Sequence, residues 1–304
     1  MHIPDGFLST PVWAAAGAVS VPGVAFFARR AGDAAGDGRI PLMGVMGAFV
    51  FAAQMINFPV GIGTSGHLVG GALLAVTLGP AAACMVMTAI LAVQALLFQD
   101  GGVLALGANV FNMGIAGVVA GYLPYRYWGQ TRFRRPAIFL GGFLSVFVSA
   151  CLAMTQLMLS GVAMPGPVLG VSLGLFAVSA AIEGGITLAV TGALERLNSN
   201  WLRSAGKAGN SGMGAILIAA ILLASVGALF ASALPDGLEK LSEELGIAGR
   251  AASLFQTPLA DYEASFAGQD WLRKALPGVL GLAAVYLVCV LAGRLISRRA
   301  LHRS

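Results

Sequence analysis

Charged residues are scarce in this sequence. Only 10% of its 304 residues are Asp, Glu, Lys or Arg, while 58% are hydrophobic and the mean hydropathy is +0.84. A soluble domain carries about 25% charged residues. The composition therefore excludes an ordinary soluble enzyme and predicts an all-α polytopic membrane protein. Its 42 glycines fit that class, because small residues let membrane helices approach closely.

Several motifs are also missing. The chain contains no G-x-x-x-x-G-K-[ST], so we expect no ATP binding through a P-loop, and no H-E-x-x-H zinc motif. Its three cysteines, Cys84, Cys151 and Cys289, all lie in apolar segments and fit small packing residues better than disulfides or metal ligands. No basic n-region precedes the first apolar run, which begins after Asp5, so we predict no secretory signal.

The apolar segments predict about nine transmembrane helices in two units. A spanning helix needs about 20 apolar residues, fewer if it is partly shielded. The predicted spans are about 8–28, 40–57, 68–78, 81–98, 103–123, 137–160, 168–193, 213–234 and 275–296. A polar stretch at 197–211 divides the chain into a seven-helix unit, 1–205, and a two-helix unit, 206–304. A hydrophilic loop, 235–274, joins the last two helices.

The basic residues predict the orientation. If Met1 lies outside, fourteen of the 18 lysines and arginines face the cytoplasm, as the positive-inside rule requires. The fourteen are Arg29, Arg30, Arg39, Arg126, Arg132, Arg134, Arg135, Arg196, Arg203, Lys207, Arg294, Arg298, Arg299 and Arg303; Lys240, Arg250, Arg273 and Lys274 remain outside. We therefore expect a bacterial cytoplasmic (inner) membrane protein with an extracytoplasmic N-terminus and a cytoplasmic C-terminus. Because the basic residues are placed at helix ends, we expect no nucleic-acid partner despite the net charge of +5.

Met1 and His2 offer an unusual group of nitrogens. The terminal amine, the His2 amide nitrogen and the His2 imidazole Nδ1 can close a five- and a six-membered ring around one metal ion. Only three histidines exist, His2, His67 and His302, and the glycine-rich turn 61–67 places His67 on the same side as Met1. Four nitrogens in a plane favour Ni(II) or Cu(II). The bulky His2 should protect Met1 from removal.

A plainer interpretation of both histidines stays open. A histidine after the initiator is commonly a solvated tail residue. His67 precedes an apolar segment and equally fits a helix-capping or interfacial histidine.

Polar residues near the outer helix ends are candidates to orient metal ligands, since ligands need hydrogen-bonded neighbours. The candidates are Asp5, Thr64, Ser65, Gln94, Gln99, Asp100, Asn109 and Asn112. Asn109 and Asn112 are three residues apart and should share a helix face. Hydrogen bonding between helices explains the same residues about as well. Glu183 is the only acidic residue well inside a predicted span, and its sequence context assigns it no role.

Five motifs together resemble a known family. They are Met1–Leu8 (MHIPDGFL), Gly63–His67 (GTSGH), Phe98–Gly102 (FQDGG), Leu106–Gly114 (LGANVFNMG) and Pro235–Glu239 (PDGLE). The first four resemble the CbiM/NikM family, substrate-binding components of energy-coupling-factor transporters for cobalt and nickel. The last resembles the motif of the small accessory component of the CbiN/NikN type. The chain is therefore similar to a fusion of the two.

The resemblance implies a function and partners. It implies that the N-terminus inserts into a seven-helix bundle and that Met1, His2 and His67 hold the transported Ni(II) or Co(II). It implies a separate transmembrane coupling protein (CbiQ/NikQ type) and ABC ATPases (CbiO/NikO type), so the chain is a transport subunit rather than an enzyme. Ile3–Gly6 is closer to the nickel branch, which favours nickel over cobalt.

Two alternatives belong to other classes. A stand-alone nickel or cobalt channel would use the same site without ATPases. An intramembrane metalloenzyme would need an open coordination position and a general base, for which only Asp5 and Asp100 are at hand. The acids of the 235–274 loop are expected to form a solvated face; these are Asp236, Glu239, Glu243, Glu244, Asp261, Glu263 and Asp270.

Overall fold

The protein is predominantly helical and crosses the membrane several times. The computed structural model describes residues 1–34, 39–197 and 210–301. Its helices, in chain order, are α1 (Thr10–Ala34), α2 (Arg39–Gln54), α3 (Gly71–Leu78), α4 (Pro80–Phe98), α5 (Leu106–Trp128), α6 (Arg134–Leu159), α7 (Gly166–Leu197), α8 (Asn210–Ser225), α9 (Gly237–Glu244) and α10 (Asp270–Leu301). Single 3₁₀ turns lie at Gly227–Phe230, Ala248–Arg250 and Ala260–Tyr262.

Each predicted apolar segment overlaps a helix, but the bounds differ: α8 ends at Ser225, nine residues before the predicted end of the segment 213–234. Six of them, α1, α4, α5, α6, α7 and α10, are long and apolar enough to span a membrane. The α2 and α8 helices are shorter apolar helices, and α3 has only eight residues. The count of nine spans therefore stays a prediction.

The glycine-rich turn before His67 is a β-hairpin, which the all-α prediction did not include. Strands β1 (Phe58–Gly61) and β2 (Thr64–Gly66) pair antiparallel. Positive φ angles at Gly61 (120°), Ile62 (49°) and Gly63 (70°) reverse the chain. Glycine adopts such angles without steric cost, so Gly61 and Gly63 allow the predicted glycine-rich turn to close tightly between two strands.

The hydrophilic loop of the C-terminal unit is partly ordered as helix. The α9 helix lies within it, and α10 begins at Asp270, five residues before the predicted start. Asp236 caps α9, because a side-chain oxygen at this position accepts the free N–H groups of the first turn.

The helices of the C-terminal unit pack directly on the N-terminal bundle. Gly281 of α10 lies against Phe51 of α2 and Phe98 of α4, and Gly44 of α2 lies against Tyr286. These glycines let the helices approach closely. The predicted boundary at 205/206, Arg203, Lys207, His302 and Arg303 lie outside the described residues.

Contacts define two ends of the bundle. At one end Arg134, where α6 begins, forms an ion pair with Glu195 near the end of α7, and Gly32 lies against Ile296. At the other end Asp5 pairs with Ala252 in an isolated β-bridge. The N-terminus, the hairpin and the ordered loop therefore lie at one end, opposite the arginine-rich one.

Candidate metal centre

The N-terminal segment is buried in the bundle. Asn109 of α5 binds the backbone of Ile3 twice: its Oδ1 accepts from the Ile3 N–H at 2.9 Å, and its Nδ2 donates to the Ile3 carbonyl at 3.0 Å. The Gly102 N–H donates to the same carbonyl at 2.9 Å. Ile3 is fully buried, so these bonds satisfy backbone groups that water cannot reach.

Asp5 fixes the same segment to the loop before α5. Its carboxylate accepts from the backbone N–H groups of Val103, Leu104 and Ala105 at 3.0, 2.8 and 3.0 Å. Asp5 therefore positions the terminus from a distance rather than touching the histidines. A carboxylate at the N-terminal end of a helix is also favoured by the helix dipole.

Met1 and His67 meet at the end of this segment. The amine nitrogen of Met1 lies 3.1 Å from His67 Nε2. His67 Nδ1 lies 2.9 Å from the Leu68 carbonyl, and an N–H at Nδ1 donates to that oxygen. This bond selects the tautomer whose Nε2 lone pair faces the amine.

The environment keeps His67 uncharged. Burial, followed by the neighbouring terminal amine and His2, lowers the pKa of His67 to about 4, although the nearby Asp236 and the bond to the Leu68 carbonyl act in the opposite direction. His67 is therefore a neutral imidazole, the form that ligates metals, over the physiological pH range.

His2 stacks beside His67 but is already engaged. The two rings are nearly parallel, at 7°, with centroids 5.5 Å apart. His2 Nδ1 lies 2.9 Å from Asp100 Oδ1, while the buried Nε2 has no partner among the described residues. Closing the predicted six-membered chelate ring requires Nδ1 to exchange Asp100 for the metal.

Asp100 belongs to a chain of hydrogen bonds. Tyr262 of the C-terminal unit donates its hydroxyl to Asp100 Oδ2 at 2.6 Å, and Gln94 Nε2 donates to the Tyr262 oxygen at 3.1 Å. Burial alone would raise the pKa of Asp100, but the charge and hydrogen bond of His2 and the Tyr262 hydroxyl hold it well below its usual range. Asp100 is therefore a carboxylate that orients His2.

Asp236 reaches the site from the C-terminal unit, and the expectation of a solvated face is wrong for this residue. Its Oδ2 forms an ion pair with the Met1 amine and lies 3.9 Å from His67 Nε2. Its side chain is 16% exposed. Burial opposes its charge, but the terminal amine and His67 lower the pKa of Asp236 to about 2. Sequence patterns missed this contact because it joins residues 235 positions apart.

Three other predicted candidates bind the surrounding backbone. The Thr64 hydroxyl donates to the Gly61 carbonyl across the hairpin turn, and Ser65 donates to Leu234. Gln99 binds the Phe255 carbonyl. They tie the hairpin and the loops together and do not touch the Met1, His2 or His67 nitrogens.

Gln94 and Asn112 form hydrogen bonds between helices. Gln94 Nε2 donates to Gln54 Oε1 at 2.9 Å. Asn112 exchanges two bonds of 2.8 Å with Gln156, away from the histidines. Asn109 and Asn112 bind different partners, Ile3 and Gln156, and a π-helical stretch, Val110–Gly117, begins between them.

Glu183 has a structural role that the sequence did not show. Its two carboxylate oxygens accept from the backbone N–H groups of Val69 and Gly70, both at 2.8 Å. These groups precede α3 directly, so Glu183 of α7 fixes the short segment that follows His67.

A cavity of about 710 Å³ opens onto the site. Both units line it: His2, His67, Gln99 and Asp100 from one, and Asp236, Glu239, Ser253, Asp261 and Tyr262 from the other. No group of three or more His, Cys, Asp or Glu side chains in the described ranges is arranged to hold a metal ion by itself. The other nitrogens near these side chains are the Met1 amine and the His2 amide nitrogen.

Comparison with known families accounts for most of the chain. Residues 2–201 match the family described as cobalt uptake substrate-specific transmembrane region, and residues 211–298 match the PDGLE domain.

Individual relatives are transport proteins by name. The chain is 32% identical to a protein of Archaeoglobus fulgidus that carries the name fused nickel transport protein NikMN; the match covers 94% of this chain and 95% of that protein. It is 38% identical to a protein of Haloquadratum walsbyi named as a metal transport protein, over 62% of this chain and 88% of that protein. A crystal structure of a transition metal transporter superposes with a TM-score of 0.58 at 32% identity, covering 66% of this chain and 94% of that one.

Proposed function

Because this chain belongs to the family of cobalt uptake substrate-specific transmembrane regions and carries a PDGLE domain, we propose that it captures Ni(II) or Co(II) for an ATP-driven importer. It is a transport component of the CbiM/NikM type and not an enzyme. The fused architecture matches that of the nickel transport relative along nearly the whole length of both chains.

In this proposal four nitrogens hold the ion: the Met1 amine, the His2 amide nitrogen, His2 Nδ1 and His67 Nε2. The observation that carries it is the 3.1 Å separation of the Met1 nitrogen and His67 Nε2. Two donors at right angles around a metal, each about 2.0 Å from it, lie about 2.8 Å apart, so little movement is needed. Among the described residues the His2 amide N–H has no hydrogen-bond partner, which leaves its nitrogen free to lose a proton and bind.

Nickel fits this donor set better than cobalt. Four nitrogens in a plane suit low-spin Ni(II), and the segment Ile3–Gly6 is similar to the nickel branch. Oxygen contacts from Asp100 or Asp236 above the plane would instead favour six-coordinate Co(II). The preference between the two metals is part of what the titration below measures.

We assign the remaining parts of the importer to separate chains. The chain has no P-loop, so ATPases of the CbiO/NikO type and a coupling protein of the CbiQ/NikQ type supply the energy. The arginine-rich end faces the cytoplasm and the metal centre faces outward, where the cavity receives the ion.

Titration of purified, untagged protein with Ni(II) and Co(II), followed by optical absorption and calorimetry, tests the site. We expect a yellow diamagnetic Ni(II) complex, tighter than that of cobalt, which His67→Ala abolishes. A variant with one residue added before Met1 keeps every side chain but moves the amine, and it should lose tight binding. Native affinity in that variant would refute the chelate; uptake by cells that lack the ATPases would favour a stand-alone channel.

A further inference from the structure

The PDGLE segment of the C-terminal unit holds one carboxylate oxygen in a fixed direction. Asp236 Oδ1 accepts from the N–H groups of Leu238 and Glu239 at 2.7 and 2.9 Å, and Glu239 Oε2 accepts from the Asp236 N–H at 2.8 Å. This reciprocal capping box uses Oδ1 and the backbone. Oδ2 is left to point away from α9.

The same segment is anchored to the N-terminal unit on both sides. The Ser65 N–H donates to the Pro235 carbonyl at 2.8 Å, and the Ser65 hydroxyl donates to Leu234 at 2.7 Å. Ser65 stands two residues before His67. Gly237 packs on Phe176 of α7, where a Cβ would lie 2.9 Å from the ring, and Leu238 is buried. The hairpin that presents His67 and the cap that presents Asp236 are therefore one rigid arrangement.

Oδ2 lies beside the proposed metal ligands, and Asp236, His2 and His67 all line the cavity. It contacts the Met1 amine and lies 3.9 Å from His67 Nε2. The His2 side chain, only 4% exposed, lines the same cavity and its Nε2 has no partner among the described residues. An ion that crosses the cavity toward the nitrogens thus reaches an anionic oxygen on its way.

We propose that Asp236 is a metal-binding residue of the capture step, which binds the incoming ion through Oδ2 and passes it to the nitrogen ligands. The capture step then uses residues of both units of the chain. This inference rests on the proposed function and adds to it a ligand from the C-terminal unit.

The transfer is a ligand exchange without oxidation or reduction. A metal–oxygen bond to Oδ2 forms as one aqua ligand leaves the ion and the ion pair with the Met1 amine breaks. The metal–oxygen bond and the remaining metal–water bonds then break as four metal–nitrogen bonds form. The protons of the amine and the His2 amide pass to solvent, and the proton on His2 Nδ1 moves through solvent to Nε2, which has no partner in the described ranges. Carboxylate oxygens suit the first step because they bind divalent ions without the loss of a strongly held proton.

Stopped-flow measurement of Ni(II) and Co(II) association with the full-length, untagged chain tests the proposal. Asp236→Asn and Asp236→Ser keep a residue that caps helices well but remove the carboxylate. Loss of a charge in the path of a ligand lowers association rates by about tenfold or more, which we expect for both variants. The Ni(II) absorption spectrum at saturation should stay that of the wild type, because the four nitrogens remain.

Glu239→Gln is the matched control. Gln preserves the capping box and removes a negative charge that lines the same cavity. Its association rate should stay within about twofold of the wild-type rate, as expected for an exposed charge.

Three outcomes oppose the inference in different ways. Wild-type association rates in both Asp236 variants would overturn it while the proposed function stands. Equal slowing by Glu239→Gln would show that negative charge in the cavity attracts cations in general and that Asp236 is not a specific binding residue. Failure of the wild-type chain to bind either metal would overturn the proposed function as well. Thermal melting followed by circular dichroism identifies any variant that does not fold. If one of the two Asp236 variants fails to fold, the association rate of the other one tests the inference.

Discussion

At the scale of single residues, the protonation states around His67 set how the site responds to acid. Burial, the terminal amine and His2 lower the pKa of His67 to about 4. A proton on its Nε2 therefore competes with a metal only near and below that pH. Above it, the protons that oppose binding are those of the Met1 amine and the His2 amide.

We expect the Ni(II) affinity to fall as the pH is lowered from about 8 to 5. Ligation needs the amine and the amide without their protons, so acid favours the metal-free form, and binding at pH 7 should release about two protons. Calorimetry in buffers with different ionisation enthalpies measures that number. An affinity independent of pH over this range would show that the amide does not ligate.

Tyr262 is the residue through which the C-terminal unit orients His2. Its ring stacks on Phe98, with centroids 4.7 Å apart and an angle of 10°, while its hydroxyl donates to Asp100. Tyr262→Phe keeps the stacking and removes the hydrogen bond. Metal binding takes His2 Nδ1 from Asp100, so in the metal-bound form the Asp100 carboxylate keeps the Tyr262 hydroxyl as a hydrogen-bond donor. We expect Ni(II) affinity to fall by about tenfold in the variant, because it leaves this carboxylate without that bond when the metal is bound.

Calorimetry measures this effect, and Tyr286→Phe is the control, since Tyr286 packs against Gly44 on α2 outside this hydrogen-bond chain. Its affinity should match the wild type. An unchanged affinity in Tyr262→Phe would mean that the Asp100 carboxylate does not need the Tyr262 hydroxyl once His2 has bound the metal.

The sequence predicted the residues of the site that belong to local motifs, but it did not predict contacts between residues far apart along the chain. Met1, His2 and His67 were found because they form a rare nitrogen set within recognisable motifs, although their role as ligands stays a prediction. Asp100 and Asn109 were found as polar residues at the ends of apolar segments, and they do contact His2 and Ile3. The contacts of Asp236 and Tyr262 span 235 and 162 positions, and no local periodicity encodes such pairings.

At the scale of elements, the site depends on a close approach between two loops that are not helical. The N-terminal segment runs against Gly101 and Gly102. Gly101 has a φ of 87°, and its Cβ would lie 3.1 Å from the Cβ of His2; a Cβ on Gly102 would overlap Asp5. Only glycine permits this approach, because any side chain here occupies the space of the inserted terminus.

Gly102→Ala should therefore displace the N-terminal segment and reduce Ni(II) affinity by about a hundredfold. A displacement of about 1 Å has an effect of this size at a site that requires a precise geometry. Gly249→Ala is the control: it lies in a loop of the C-terminal unit, and a Cβ there meets nothing within 4 Å. Titration calorimetry on both variants gives the comparison. Equal affinities would show that the loop yields to the methyl group.

The local sequence of each element also explains which helices and strands the sequence predicted and which it missed. Hydrophobic segments predicted the apolar helices correctly, because a helix that is buried in lipid or in the bundle needs apolar side chains. The hairpin at 58–66 and the α9 helix were missed because neither has a run of apolar residues. Turn glycines and a capping box define them instead, and these signals are short.

At the scale of the whole molecule, the two units form a single packed body around the candidate metal centre. Helix α10 packs along α2, and the loop before it covers the cavity over His2 and His67. The composition predicted a membrane protein and the motifs predicted the fusion. The shared site required the three-dimensional arrangement, since each unit alone offers an incomplete set of contacts.

The orientation of this body in the membrane yields the last prediction. In a chain with Cys84, Cys151 and Cys289 replaced by alanine, Ser253→Cys lies at the cavity end and Gln130→Cys at the arginine-rich end, both exposed. Short basic loops stay in the cytoplasm, so we expect a membrane-impermeant maleimide to label only Ser253→Cys in intact cells. Gln130→Cys should react after permeabilisation, which serves as its control. Labelling in the reverse order would place the metal centre on the cytoplasmic side, where it would receive ions from inside the cell and the importer function would not hold.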